Sequence, residues 1–171
     1  MVHTPSLQHR LPNEGAHIHA PWRSETAKQA IAQSEALCRA KGARLTPIRR
    51  RVLEVLLASP KPLGAYDLVD RLGSQGRRMA PITVYRALDF LIEHGLAHRL
   101  ASRNAYLASS DVSTGRQTTA FLICESCGEA TEITSPAVAD TVLKVLKEQG
   151  YQPRARALEI TGRCAGCQDI H

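Results

Sequence analysis

The sequence predicts an α+β protein: an N-terminal winged helix-turn-helix domain followed by a small α/β domain. Three observations predict it. Apolar residues recur at helical spacing four times between Ser24 and Gly95. The period then falls to two over "LAHRLAS" and "NAYLAS". Beyond a polar stretch, strand-like and helix-like segments alternate again, and they carry two Cys-x-x-Cys pairs.

Residues 1–23 hold Pro, Gly and His without a period and read as a flexible tail. The first helix runs over "SETAKQAIAQSEALCRAKG", with Ser24 as N-cap and Gly42 as stop. Ala30, Ile31, Ser34, Leu37 and Cys38 share one face of it. The second, "LTPIRRRVLEVLLAS", starts at an N-cap Thr46 with Pro47 at the first helical position, where a missing N–H costs nothing. Val52, Leu53, Leu56 and Leu57 form its apolar stripe, and Arg49, Arg50 and Arg51 lie toward the other side. "GAYDLVDRLGSQG" gives a shorter third helix, ended by Gly73 and Gly76. The fourth begins at Pro81 and stops at Gly95, burying Val84, Leu88, Leu91 and Ile92. Thr83, Tyr85 and Arg86 in its first turns point elsewhere.

"LAHRLAS" and "NAYLAS", joined by "SRN", read as a two-stranded hairpin. "SSDVSTGRQ" is a linker by composition. A strand "TTAFLIC", a turn "ESCG" and a strand "EATEIT" follow, then a helix from Ser135 and Pro136 and a closing strand within "YQPRARALEITGRC". The expected division is a tail 1–23, a winged helix 24–108, a hinge 109–117 and an α/β domain 118–171.

Bulk properties narrow the function. Net charge is +6, and all of the excess lies early. Residues 1–98 hold fourteen Lys and Arg against eight Asp and Glu, whereas residues 99–171 hold eight of each. Such asymmetry suits a polyanionic partner for the first half. No apolar run approaches the ~20 residues of a membrane span, and the N-terminus lacks the apolar centre of a signal peptide, so a cytoplasmic location is expected. No nucleophile–base motif, phosphate loop or paired carboxylate set appears, which argues against an enzyme and against a small-molecule substrate.

Cys124-x-x-Cys127 and Cys164-x-x-Cys167 are separated by 36 residues. Gly128, Ala165 and Gly166 let each pair turn sharply, so that two knuckles offer four thiolates, the tetrahedral set that Zn²⁺ prefers. Disulfides are disfavoured in a cytosolic chain. An iron–sulfur or rubredoxin-like centre uses the same four sulfurs, which leaves a redox protein as a reading of another class. Cys38, alone on an apolar helix face, reads as a small core residue.

"RLTPIRRRVLEVL", "AYDLVDRL" and "TVYRALDFLIEHGLAHRL", followed by the two Cys pairs, resemble the Fur family of bacterial metal-responsive repressors. "TVYRALDFL" and "GLAHR" look most like its zinc uptake regulator branch. The resemblance covers roughly residues 30–168. It implies a homodimer, a structural zinc on Cys124, Cys127, Cys164 and Cys167 in each subunit, and a second, regulatory zinc at the hinge. The metal-loaded dimer would bind a palindromic operator and repress zinc-uptake genes. Sensing of iron, manganese or peroxide is the alternative within the family.

On the DNA side the resemblance implies base contacts from Tyr85 and Arg86. A guanidinium can pair with guanine and a tyrosine ring can pack on a thymine methyl. Thr83 belongs to the same turn. Arg44 would reach phosphate or a minor groove, with Arg49 and the wing's Arg99 on phosphates; Arg50, Arg51, Arg77 and Arg78 read as solvated charge. On the metal side it implies His98 and Glu132 as regulatory ligands. The two positions where relatives place a Cys and a His hold Ser109 and Gln117 here. Asp111 is then the expected third ligand, with His17, His19, His94 and Cys38 as other substitutes.

Overall fold

The structure, a computed structural model, describes residues 24–73, 79–110, 119–152 and 157–168. Helix α1 (Ser24–Ala40) buries Ile31, Ser34 and Cys38. Ser34 avoids an unpaired buried hydroxyl by donating to Ala30 O at 2.7 Å. Helix α2 (Pro47–Leu57) buries the predicted Val52, Leu53, Leu56 and Leu57. Thr46 does occupy the N-cap in extended conformation, but its side chain makes no capping bond. The cap expected there is therefore positional only, since Pro47 already removes one of the orphan N–H groups.

Helix α3 (Ala65–Gly73) is preceded by a reverse cap, in which Asp67 Oδ2 accepts from Gly64 N–H at 2.9 Å. Helix α4 (Pro81–Glu93) buries Val84, Ala87, Leu88, Phe90 and Leu91. It ends at Gly95, whose φ of +74° fits glycine, with Leu96 N–H returning to Leu91 O at 2.8 Å. The stripes of α2, α3 and α4 meet in one core with Ile31 and Cys38. Each large side chain sealed there contributes about 1.5–3 kcal/mol of hydrophobic free energy.

The predicted hairpin forms. Strand β1 (Ala97–Leu100) pairs antiparallel with β2 (Ala105–Ala108), from Ala97↔Ala108 to Leu100↔Ala105. A 3₁₀ turn, Ala101–Arg103, and Asn104 at φ +47° connect them. Leu63 and Tyr106 exchange both backbone hydrogen bonds at 2.8 and 2.9 Å, tying the hairpin to the α2–α3 connection. This is a winged helix-turn-helix, as expected.

Ser109 and Ser110 begin the predicted hinge, yet both are fixed. Ser109 is 7% exposed and its N–H donates to Leu96 O at 3.0 Å. Residues 111–118 lie outside the described residues.

The α/β unit holds strands β3 (Thr119–Cys124), β4 (Ala130–Thr134) and β5 (Ala157–Gly162), with helix α5 (Pro136–Glu148) between β4 and β5. Ser135 caps α5 by accepting from Val138 N–H. Sheet order is β4-β3-β5, antiparallel then parallel. A one-turn helix α6 (Ala165–Gln168), absent from the sequence reading, closes the described chain. Among the described residues no helix is long and apolar enough to cross a membrane.

Register fixes what the two sheet faces do. Phe121 on β3 stands opposite both Glu132 on β4 and Glu159 on β5, so the three share one face. That face meets the wing, where Leu100, Phe121, Ile123 and Ala130 form a small second core. Leu122, Ile133 and Ile160 lie on the other face, each more than a third exposed.

Candidate metal centres and nucleic-acid interface

Cys124 ends β3, Cys127 follows in the turn, and Cys164 and Cys167 flank the start of α6. Gly128 adopts φ +77° and its N–H closes the turn on Cys124 O at 3.0 Å. Glu125 N–H to Gly162 O, at 2.8 Å, joins the two knuckles. The four sulfurs lie within 4.8 Å of one another, and Cys127 and Cys164 Sγ are 3.8 Å apart. Thiolates set tetrahedrally at ~2.3 Å around zinc are themselves ~3.8 Å apart, so the donor set fits that ion. All five cysteines are free thiols.

The electrostatics agree with a cation there. Backbone N–H groups of Cys127 and Cys164 pull the Cys124 thiol down to about 6. Cys167 is pushed up to about 12 by its hydrogen bond with Cys164, by burial and by the Cys124 thiolate. Four adjacent thiols oppose one another's ionisation. A divalent cation relieves that opposition, and binding releases protons.

A second polar cluster lies where the wing meets the sheet. His98 Nε2, on β1, is 3.3 Å from Glu132 Oε1 on β4 and 3.2 Å from Ser109 Oγ. Ser110 N–H donates to Glu132 Oε2 at 2.6 Å. The imidazole tilts against Phe121 with ring centroids 5.0 Å apart. Burial alone would raise the Glu132 carboxyl; hydrogen bonds from His98 and Ser110 N–H outweigh it and hold the pKa below its ordinary value.

A nitrogen and an oxygen bound tetrahedrally to zinc at ~2.0–2.1 Å lie ~3.3 Å apart, so the His98–Glu132 spacing suits one ion as well as a hydrogen bond. Ser109 stands at the same distance from His98. Asp111, Gln117, His17 and His19 fall outside the described residues. His94 and Cys38 are engaged elsewhere. His94 caps α4, with Nδ1 2.9 Å from Phe90 O and its ring stacked on Phe90. Cys38 is 0% exposed within the helical core, and burial raises its thiol pKa.

The surface expected to meet nucleic acid centres on α4. Arg86 is exposed, Tyr85 is 36% exposed, and Thr83 is half-buried. Arg44 is exposed at the start of the α1–α2 connection. Arg99 on the wing reaches Asn104 Oδ1 at 3.2 Å. Arg49 departs from expectation. Its guanidinium lies 3.6 Å above the Phe90 ring and donates to Arg44 O at 2.8 Å, so it braces the Arg44 loop instead of standing clear for phosphate. Arg50 pairs with Glu35 at 3.0 Å and Glu54 at 2.9 Å.

Several residues escaped the sequence reading. Tyr66 on the first turn of α3 is 71% exposed, an aromatic presented on a basic helix-turn-helix. Ser110 contributes through its backbone, which sequence does not display. Phe121 and Glu159 are legible only once strand register is known, since each looks like an ordinary strand residue.

Fold and sites together define a class: a winged-helix protein with a four-cysteine cluster able to hold a metal in an adjoining α/β unit. The ferric uptake regulator family model matches residues 40–161. The chain belongs to that family. It is 34% identical over 145 residues to the zinc uptake regulation protein of Escherichia coli (strain K12), covering 85% of each. A zinc uptake regulator in complex with zinc and DNA superposes with a TM-score of 0.79 at 35% identity, over 84% of this chain and 96% of that one. The holo form of XcZur gives 0.75 at 38% identity, over 83% and 99%.

Proposed function

We propose that this chain is a zinc-responsive, DNA-binding transcriptional repressor of zinc-uptake genes, working as a cytoplasmic homodimer on a palindromic operator. The observation that carries it is the junction: a metal-competent His98–Glu132 pair joins the wing to the sheet that bears the cysteine cluster. Similarity to the zinc- and DNA-bound regulator supports the same reading.

Cys124, Cys127, Cys164 and Cys167 would hold a structural zinc, one per subunit. Four protein ligands leave no open position, so the ion would cross-link β3 to the end of β5 and catalyse nothing. His98 and Glu132 would hold a regulatory zinc, with Ser109 beside them and Asp111 as the proposed third ligand. His98 and Glu132, sharing one ion, would hold the wing and β4 together.

We divide the chain into a winged helix at 24–108, a hinge at 109–117 and a dimerisation domain at 118–171. Leu122, Ile133 and Ile160 on the sheet face away from the wing give the second copy an apolar surface. For DNA, Arg86, Tyr85 and Thr83 enter the major groove on α4. Arg44 and Arg99 meet the backbone, and Arg49 holds Arg44 in place.

The test is operator binding titrated against free zinc, with iron(II) and manganese(II) as controls. Binding that rises with zinc alone is expected. Affinity that is flat across all three metals would falsify the sensor reading.

A further inference from the structure

The wing is gripped at a second point, away from the metal-competent pair. The Glu159 carboxylate on β5 reaches the 3₁₀ turn at the wing's tip. Oε1 accepts from Ala101 N–H at 2.7 Å, and Oε2 accepts from Ser102 N–H at 3.1 Å and from the Ser102 hydroxyl. These partners lie 57 and 58 residues away in sequence, so the contact crosses between the two halves of the chain. Arg103 adds a weaker bridge from the same turn to Cys124 O at 3.4 Å.

We propose that Glu159 is a positioning residue for operator binding: its carboxylate caps the wing-tip turn and holds the wing against the sheet in the DNA-competent posture. The proposal rests on the repressor reading above. Register explains why Glu159 can do this. It shares a cross-strand row with Phe121 and Glu132, so one sheet face presents two carboxylates around a buried ring. Glu132 takes the base of the wing through His98 and Ser110 N–H. Glu159 takes the tip. A carboxylate accepting several N–H and O–H groups is held in one orientation, and the turn with it. Burial opposes its charge, but these hydrogen bonds prevail and keep the Glu159 pKa below the ordinary carboxylate value. Unlike the pair at the base, this grip uses no metal-competent nitrogen or sulfur. It biases the posture whether or not zinc is present, and zinc then acts on a junction already half closed.

The experiment compares full-length wild-type protein with Glu159→Gln, loaded with zinc, on a duplex that the wild-type dimer selects from random-sequence DNA. Gln keeps the shape but turns an N–H₂ toward the Ser102 donors. Operator affinity is expected to fall about 3- to 30-fold, less than the full effect of losing a charge-assisted hydrogen bond because these bonds are exposed and solvent-screened. The sign is diagnostic. Deleting a negative charge from a DNA-binding protein should by electrostatics alone tighten binding. Hydrogen exchange at residues 101–102 should speed up in the variant while the α2–α4 core stays protected. Ser102→Ala, on the exposed wing, supplies a gentler second variant, expected to weaken binding in wild type and to add nothing in the Glu159→Gln background. Unchanged or tighter binding by Glu159→Gln, unchanged exchange at 101–102, or full additivity with Ser102→Ala overturns the role and leaves the repressor reading standing. If wild-type protein selects no duplex in zinc, the repressor reading itself falls, and this role with it.

Discussion

Replacing His98 with alanine tests the hinge most directly. The imidazole bonds a carboxylate whose side chain is only 5% exposed, and it packs on a ring that is fully buried. Losing a hydrogen bond to a charged acceptor costs about 1.5–3 kcal/mol. The ring contact is worth about 0.5–1.5 kcal/mol more. Together about 2–4.5 kcal/mol falls on the junction between wing and sheet. If that sum bears on the DNA-competent posture, operator affinity at fixed free zinc drops about 30- to 1,600-fold, at ~1.4 kcal/mol per decade. The assay is fluorescence anisotropy of a labelled operator across zinc buffered with a chelator. His98→Gln separates the two effects, because its amide can donate to Glu132 yet offers no ring nitrogen to an ion. That variant should keep near-wild-type melting and lose the zinc response. A His98→Ala protein with the same zinc midpoint as wild type, even one that melts earlier, would refute the assignment.

Ser109→Cys should do the opposite. It places a thiolate 3.2 Å from where His98 Nε2 sits, and the zinc midpoint for operator binding should move about tenfold or more lower; an unmoved midpoint argues against a metal beside Ser109. Cys164→Ser should lower bound zinc by one per subunit and unfold the α/β unit, read by metal analysis and circular dichroism, because a structural site's binding energy is folding energy. A purified protein that is coloured would point to iron at that cluster instead. Arg86→Ala should cost about 1–3 kcal/mol of specific affinity and relax preference at one base position, whereas Arg44→Ala should weaken all sequences alike and lower the salt slope by about one.

The helical half was legible because each helix carries local signals that tertiary structure did not override. Pro47 and Pro81 mark starts and Gly95 marks a stop; the four-residue stripe of α2 is the set actually buried, and in α4 Val84, Leu88 and Leu91 are buried with Ala87 and Phe90, while Ile92 is half-buried. The Cys cluster was legible because its geometry is written in spacing. What failed was whatever depends on partners distant in sequence. Arg49 looked like a phosphate contact from its helix, and the Phe90 ring it lies over is 41 positions away in sequence. Ser109 looked like a linker residue by composition, and a backbone bond to Leu96 together with the His98 ring fixes it. Glu159 sits in the polar slot of "ALEITG", a slot that usually faces water. It faces the wing only because β5 pairs with β3 at Phe121.

That pairing would also order the two proposed metal sites. Cys124 is the last residue of β3 and pairs with Gly162, two residues before Cys164, so closing the cysteine cluster sets the β3–β5 register at one end. The same register carries the row of Glu132, Phe121 and Glu159 at the middle of the sheet. A slip of one residue would turn Glu159 to the opposite face and leave the wing tip without its acceptor. The dependence therefore runs one way. A hinge with His98 removed would stand on an intact sheet, with the proposed cysteine zinc still held. A sheet without the proposed cysteine zinc would lose the cross-link at the end of β3 and β5 that helps hold the row on which the hinge closes. Mild chelation that strips the hinge alone should release DNA reversibly, and chelation that reaches the cysteine cluster should take the hinge with it.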